Sequence, residues 1–167
     1  NRGMEHATLG ELYWFSEVVE KFLNNRYFVS VWRYLRRRGE DVFAFFQRVL
    51  ELCHSRGFFQ LAATQELMCT ILVQLAEERD DGRTLIELLR HDWLRCGFRF
   101  LPDCLQEAPF LELPEATRSA LYQSLPGELT GVYNPANRNH FFRKSFFLRF
   151  PAEALGELGL SVEASSA

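Results

Sequence analysis

Several motifs of catalysis and cofactor binding are missing from this 167-residue sequence. It has no glycine-rich phosphate loop, no HExxH zinc motif, no G-x-S-x-G nucleophile elbow and no CxxxCxxC triplet for an iron–sulfur cluster. The spacing of its acids and histidines does not assemble a catalytic dyad. We therefore identify no catalytic, cofactor-binding or metal-ligating residue, and we expect this stretch of chain to be inactive alone.

Long apolar runs are also missing. No run approaches the roughly 18 to 20 residues that cross a bilayer. The first residues lack the basic-then-apolar layout of a signal peptide. The chain starts at Asn1 rather than at a methionine, which suggests a piece cut from a longer chain. We expect a cytoplasmic protein with no membrane partner.

Cysteine is scarce, and its spacing forms no CxxC or metal-ligand pattern. The four thiols are Cys53, Cys69, Cys96 and Cys104. Thiols of a reducing cytosol stay free, so we expect free, buried cysteines. A Cys96–Cys104 bridge, or a metal site completed by a histidine, is the alternative.

No charge of one sign dominates, because the net charge is only −3. The sequence thus has no global nucleic-acid signature. A local basic patch lies at the end of a predicted helix and consists of Arg33, Arg36, Arg37 and Arg38. Cations at a helix C-terminus are favoured by the helix dipole, so a solvated helix end explains the patch. A phosphate or nucleic-acid contact and an ion pair with a partner are the alternatives.

Helical periodicity dominates what is present. The pattern predicts a mainly α fold: a bundle of five to six helices, then a less regular C-terminal part with one or two short β-strands. We expect a flexible entry over 1–7 and one domain over 8–158, with the bundle at 8–97 and the irregular part at 98–158. Residues 159–167 read as a disordered tail.

Helix-end signals place the elements of the bundle. Thr8 with Glu11, and Thr84 with Glu87, match capping boxes. Asp41 is a suitable N-cap, and Gly57 a suitable left-handed C-cap. The predicted helices span about 8–23, 28–38, 41–56, 62–78 and 84–97, and a sixth follows Pro114. The 62–78 helix is apolar nearly all round, which predicts a central position.

The helix over 84–97 has an acid on its apolar side. Asp92 falls between Leu85 and Leu88 on the helical wheel, whereas Arg90 falls opposite with Glu87. A carboxylate there loses hydration and faces the negative end of the dipole, so it needs a strong partner. We expect an arginine, a Trp N–H, a Tyr hydroxyl or loop amides in that role. Asp92 is then a packing carboxylate or, alternatively, a group held for a ligand or a partner protein.

Alternation of apolar and polar residues predicts a β-strand over 140–150. Its candidate pairing partners are 98–101 and 132–133. A strand of this composition without a partner exposes amides and a hydrophobic ridge. This Phe-rich strand is therefore a candidate surface for homo-oligomerisation.

Three segments together carry a family resemblance. They are FLNNRYF with WRYL at 22–35, VFAFF at 42–46, and LLRHDWL at 88–94. The pattern resembles the helical C-terminal domain, without assigned activity, of uncharacterised bacterial radical S-adenosylmethionine (SAM) proteins that carry a cobalamin-binding domain. The resemblance covers roughly residues 10–150. The matching positions are Asn25, Arg90, Asp92 and Trp93.

The resemblance implies that the chemistry lies upstream. The parent chain holds a [4Fe–4S] cluster, SAM and cobalamin in domains outside this stretch, and it performs radical chemistry such as methylation of an unactivated carbon. No catalytic residue is carried over to this chain. The leading hypothesis is a C-terminal accessory domain that packs on the catalytic barrel and shapes substrate access. The alternatives are a stand-alone protein-interaction module and, less favoured, an RNA-binding module.

Overall fold

The computed structural model describes residues 9–98, 100–106, 110–111, 113–124, 147–148 and 150–159. The chain falls into two compact units, Asn1–Gln106 and Glu107–Ala167. The single domain proposed over 8–158 stays a prediction. The flexible entry over 1–7, and all of the 159–167 tail except Gly159, lie outside the described residues.

Within the described residues, the first unit contains five α-helices that pack as a bundle. They are α1 (Leu9–Leu23), α2 (Val29–Arg37), α3 (Val42–Ser55), α4 (Gln65–Glu77) and α5 (Gly82–Arg95). Two 3₁₀ turns, Phe58–Gln60 and Asp103–Leu105, complete it. The predicted mainly helical fold is confirmed. None of the described helices is long and apolar enough to cross a membrane.

Helix α4 is buried on several sides, as its apolar composition predicted. It packs on α3, on α5 and on the Asp103–Leu105 turn, whereas α1 packs on α3 and α2 on α5. Its side chains that lie in the core are Met68, Cys69, Ile71, Leu72, Val73, Leu75 and Ala76. Removing this apolar surface from water is the main force that holds such a bundle together.

Two of the predicted helix ends are confirmed. The Asp41 carboxylate accepts a hydrogen bond from the Ala44 N–H at 3.0 Å, as an N-cap does. Gly57 ends α3 with a φ of 65°, a conformation that costs glycine nothing. Helix α4 starts later than predicted, because Thr64 caps it by accepting from the Leu67 N–H at 3.2 Å.

The capping box predicted at Thr84 is wrong. Helix α5 already begins at Gly82, and its N-cap is Asp81. A β-carbon on Gly82 would lie 2.0 Å from the Ala76 carbonyl oxygen, so the turn between α4 and α5 has room for glycine alone. This close approach is a tertiary feature that a local capping pattern does not contain.

The second unit is only partly described. Helix α6 (Glu115–Gln123) follows Pro114, as predicted, and α7 (Ala152–Glu157) was not predicted. Residues Phe110–Leu111 (β1) pair antiparallel with Phe147–Leu148 (β2). Most of the strand predicted over 140–150 lies outside the described residues, as does 132–133, so that strand stays a prediction. The β1 pairing includes neither of the two candidate partner segments.

Candidate functional site

Asp92 lies at the centre of the matching motif and is completely buried. Its carboxylate accepts hydrogen bonds from the backbone N–H groups of Ser30, at 3.0 and 3.2 Å, and of Val31, at 3.3 Å. Both donors belong to the first turn of α2. Of the partners expected from the sequence, backbone amides form the hydrogen bonds, although they come from a helix start rather than from a loop.

The first turn of α2 needs such an acceptor. The first N–H groups of a helix have no intrahelical partner, and the N-cap residue Phe28 has no side-chain oxygen to offer. Asp92 supplies the oxygens from α5, and its negative charge faces the positive end of the α2 dipole. That favourable field offsets the unfavourable position of Asp92 near the C-terminus of its own helix. We call this arrangement the Asp92 cap.

Two cationic or titratable groups border the Asp92 cap. The His91 Nδ1 lies 3.7 Å from the Asp92 carboxylate and 3.4 Å from the Ser30 hydroxyl. The Arg95 guanidinium lies 3.9 Å from the same carboxylate and also donates to the Arg26 carbonyl. His91 is partly exposed. These contacts link the end of α5 to the segment between α1 and α2.

The predicted place of Arg90 on the exposed face is wrong. Arg90 is buried and forms an ion pair with Glu87, one helical turn earlier. Its Nε donates to the Leu105 carbonyl at 3.3 Å. Burial raises the pKa of the Glu87 carboxyl, and the charge of Arg90 opposes that rise. The helical wheel predicted that the side of α5 with Arg90 faces away from the core. In the structure, the Asp103–Leu105 turn covers that side, and the periodicity of one helix cannot predict such a contact.

Trp93 fixes the segment that follows α5. Its indole N–H donates to the Phe100 carbonyl at 2.8 Å. Its ring stacks on Phe98 with 4.5 Å between the ring centres. Arg90, Asp92 and Trp93 thus bind three different segments to one helix, which gives the motif a structural role. A ligand-facing role for these residues stays a prediction.

Asn25, the fourth matching position, organises the connection between α1 and α2. Its side-chain oxygen accepts from the Tyr27 N–H at 2.9 Å, and its amide group donates to the Lys21 carbonyl. Asn25 does not end α1 in the left-handed conformation, because no described residue other than glycine has a positive φ. Asn25 ends α1 through its side chain instead.

The basic patch is exposed at the end of α2: Arg33, Arg36, Arg37 and Arg38. Arg38 donates to the Tyr34 hydroxyl at 3.1 Å and lies 3.7 Å from the Asp81 carboxylate. That arginine therefore belongs to a polar network within the bundle. The network reduces the charge that the patch offers to a phosphate or to a partner protein.

Arg79 is the hub of this polar network. It forms hydrogen bonds to Glu40 at 2.6 and 2.9 Å and to Asp81 at 2.8 and 3.1 Å. The hydrogen bonds from Arg79 are the main reason why the pKa of Asp81 is lowered. Burial, followed by the bond to Asp81 at 2.9 Å, raises the pKa of Tyr34. The network ties the α2–α3 and α4–α5 connections together.

An apolar groove was not predicted from the sequence. It has a volume of about 250 Å³ and is lined by Leu23, Trp32, Leu35, Arg36, Glu40, Val42, Phe45 and Phe46. Val42 at its edge is 61 % exposed and the neighbouring Phe43 46 %. The buried Trp32 indole N–H has no hydrogen-bond partner. The sequence feature that could have predicted this groove is the start of α3, which has more apolar side chains than one packed face requires.

All four cysteines are free. Cys53 and Cys69 are buried, as expected, but Cys96 is exposed just beyond the end of α5. Burial raises the pKa of the Cys53 thiol to about 12. Cys104, in the Asp103–Leu105 turn, is half-buried. Within the part of the chain that the structure describes, no three His, Cys, Asp or Glu side chains are grouped to hold a metal ion.

The fold and the motif define a helical domain whose distinctive polar residues hold its helices and connections together. The chain belongs to the family described as "Protein of unknown function (DUF4080)", whose model matches residues 1–153. Neither a curated protein nor a solved structure matched the chain.

Proposed function

We propose that this chain is a C-terminal accessory domain of a cobalamin-binding radical SAM protein, that it packs on the catalytic barrel and that it shapes substrate access. The [4Fe–4S] cluster, SAM and cobalamin belong to the upstream domains, and the chemistry takes place there. In this proposal, the protein is cytoplasmic. The proposal starts from the resemblance of the motifs around Asn25, Trp32 and Asp92 to that class of domain.

The observation that carries the accessory role is the exposed apolar start of α3. Val42, which lines the apolar groove, is 61 % exposed, and the next residue, Phe43, is 46 % exposed. At about 25 cal/mol for each Å² of apolar surface removed from water, covering such an edge favours association. Arg36 and Glu40 line the same groove and supply one charge of each sign for orientation. This is the composition of a docking surface with an apolar centre and a polar rim.

The contacts of the polar residues in α5 also support an accessory role. Asp92, Arg90 and Trp93 each bind backbone or side-chain groups of the bundle itself. Side chains committed in this way stabilise a domain. They therefore favour an accessory function over catalysis by this chain.

The experiment uses the full-length natural parent and two variants. We expect the purified parent to show iron–sulfur absorbance and SAM cleavage. Val42→Glu places a charge at the groove edge, and burying an unpaired charge is costly, so we expect protease to release this domain about ten times faster. Leu61→Glu is the matched control, since Leu61 is 58 % exposed and lies outside the groove. It should leave the release rate unchanged.

Two results count against the proposal, and they do so separately. A parent without a cluster and without SAM cleavage rejects the radical SAM assignment. Equal release rates for Val42→Glu and Leu61→Glu reject docking through the groove. If Val42→Glu instead abolishes binding to a separate protein, the chain is a stand-alone interaction module.

The RNA-binding alternative has one supporting observation, the exposure of the basic patch. Binding through phosphates weakens steeply with salt, because counterions are released. Salt-dependent RNA binding that is lost when Arg33, Arg36 and Arg37 are replaced by alanine favours this alternative. No binding at low salt excludes it.

A further inference from the structure

The apolar groove at the start of α3 has a rigid aromatic lining. Three of its rings, those of Trp32, Phe45 and Phe46, contact one another with 5.3 to 5.9 Å between ring centres. Phe45 and Phe46 are buried, so the core of the bundle fixes their positions. The groove volume of about 250 Å³ is below the range of about 300–1,000 Å³ that is usual for ligand pockets. Its size therefore suits one apolar side chain of a partner better than a whole cofactor.

Two charged residues line this groove, but only one of them is available to a partner. Both oxygens of the Glu40 carboxylate accept hydrogen bonds from Arg79, at 2.6 and 2.9 Å. Arg36 is exposed, and its guanidinium forms no hydrogen bond or ion pair within the residues that the structure describes. An incoming group can thus pair with Arg36, whereas Glu40 is already occupied.

The polar network that holds Glu40 does not change the charge of the groove. Arg38 and Arg79 contribute two positive charges to it, and Glu40 and Asp81 contribute two negative charges. The uncompensated charge at the groove is therefore the positive charge of Arg36. Water solvates an exposed guanidinium, so covering this charge with a partner that offers no acceptor would cost free energy.

We propose that the groove binds an acidic–apolar anchor of the upstream catalytic barrel. One apolar side chain of the anchor enters the groove, and a neighbouring aspartate or glutamate pairs with Arg36. This inference rests on the proposed docking of the chain on that barrel, and it adds the chemistry of the segment that docks.

Arg36 is suited to recognise such an anchor. A guanidinium can donate two parallel hydrogen bonds to the two oxygens of a carboxylate, which fixes the orientation of the partner as well as its position. Binding energy at protein interfaces is concentrated in a few anchor side chains that fill pockets and are surrounded by a rim that excludes water. The aromatic lining then binds the anchor, and Arg36 determines its specificity.

The first test measures how fast protease releases this domain from the full-length parent. We expect Arg36→Glu to speed release about tenfold, because it sets two like charges against each other. Arg36→Gln removes only the attraction, so we expect about threefold. Arg33→Glu is the matched control, because Arg33 is exposed on the same helix but does not line the groove. It should leave the release rate unchanged.

The second test identifies the facing carboxylate. Arg36→Lys keeps the positive charge and introduces an amine, which a carbodiimide joins to a carboxylate in direct contact. In the full-length parent, we expect a zero-length cross-link from position 36 to an aspartate or glutamate upstream of the 167 residues. Peptide mass spectrometry then names that residue. Arg33→Lys is the control and should give no cross-link to an upstream acid.

Two results overturn the anchor and leave the proposed docking intact. In the first, Val42→Glu speeds release, but Arg36→Glu does so no more than Arg33→Glu. In the second, Val42→Glu speeds release, but position 36 cross-links only within this domain, only to a second copy of it, or not at all. If neither Val42→Glu nor Arg36→Glu changes the release rate, docking through the groove is rejected, and the anchor with it.

Discussion

Asp92 is a single side chain that stabilises the packing of two helices in this domain. Its carboxylate accepts N–H groups from the first turn of α2 while it lies fully buried in α5. Bonds to a charged group contribute about 1.5–3 kcal/mol each, and a partly buried charge at a helix end up to about 2 kcal/mol. Asp92 thus fixes two helices to each other.

We predict that Asp92→Asn lowers the free energy of unfolding by about 2–4 kcal/mol. The amide keeps one oxygen but loses the charge, and its NH₂ group cannot accept from an N–H group. Asp80→Asn is the control, because Asp80 is exposed in the α4–α5 turn. It should change the free energy by no more than about 0.5 kcal/mol. Urea denaturation of both variants measures the difference, and equal midpoints would contradict the Asp92 cap.

Asp81 leads to a prediction about pH. Its pKa is lowered in the folded state, mainly by Arg79, so the unfolded chain binds this proton more readily. The stabilisation is therefore fully present above the unfolded pKa of about 3.9 and is lost as the pH falls through the lower folded pKa. We expect Asp81→Asn to reduce the slope of unfolding free energy against pH below about pH 4. An unchanged slope would show that the network does not hold this carboxylate.

At the scale of the elements, the turn between α4 and α5 depends on Gly82. A methyl group there meets the Ala76 carbonyl at 2.0 Å, inside the contact distance. Alanine is normally the better helix former by about 1 kcal/mol, but the clash outweighs that preference. We expect Gly82→Ala to lower the free energy of unfolding by about 3 kcal/mol.

The control for this prediction lies in α7. A β-carbon on Gly156 meets no atom within 4 Å. We expect Gly156→Ala to be neutral or to stabilise by about 0.5–1 kcal/mol. Thermal unfolding of both variants is the measurement. A stable Gly82→Ala protein would mean that the turn can adopt another path.

The sequence alone predicted the elements better than the contacts between them. Asp41 and Gly57 are local signals, and the structure confirms both. The burial of Asp92 followed from its place on the wheel, but its partner lies 62 positions away at Ser30. Arg90 was placed on the wrong face because the turn that covers it follows 15 positions later. Helical periodicity describes one helix at a time, so such partners become visible only after folding.

The whole bundle leaves an apolar edge uncovered at the start of α3. Val42, which lines the groove, and its neighbour Phe43 are both exposed. An excess of aromatic side chains in the composition was consistent with a core or with an interface. The proposal for the function resolves that choice in favour of an interface with the catalytic barrel of the parent chain.

Docking at this edge can be measured through the hydrogen exchange of backbone N–H groups. The first N–H groups of a helix lack intrahelical acceptors and normally exchange quickly with solvent. Those of Val42 and Phe43 lie at the start of α3, next to the groove. If the barrel covers them, their exchange slows.

The most direct measurement is amide hydrogen exchange of the full-length parent beside that of the isolated 167-residue chain. We expect exchange at Val42 and Phe43 to be at least about tenfold slower in the parent, equivalent to about 1.4 kcal/mol of protection. Exchange around Leu61, outside the groove, should be the same in both proteins. Equal rates at Val42 and Phe43 in the parent and in the isolated chain would contradict docking through the groove.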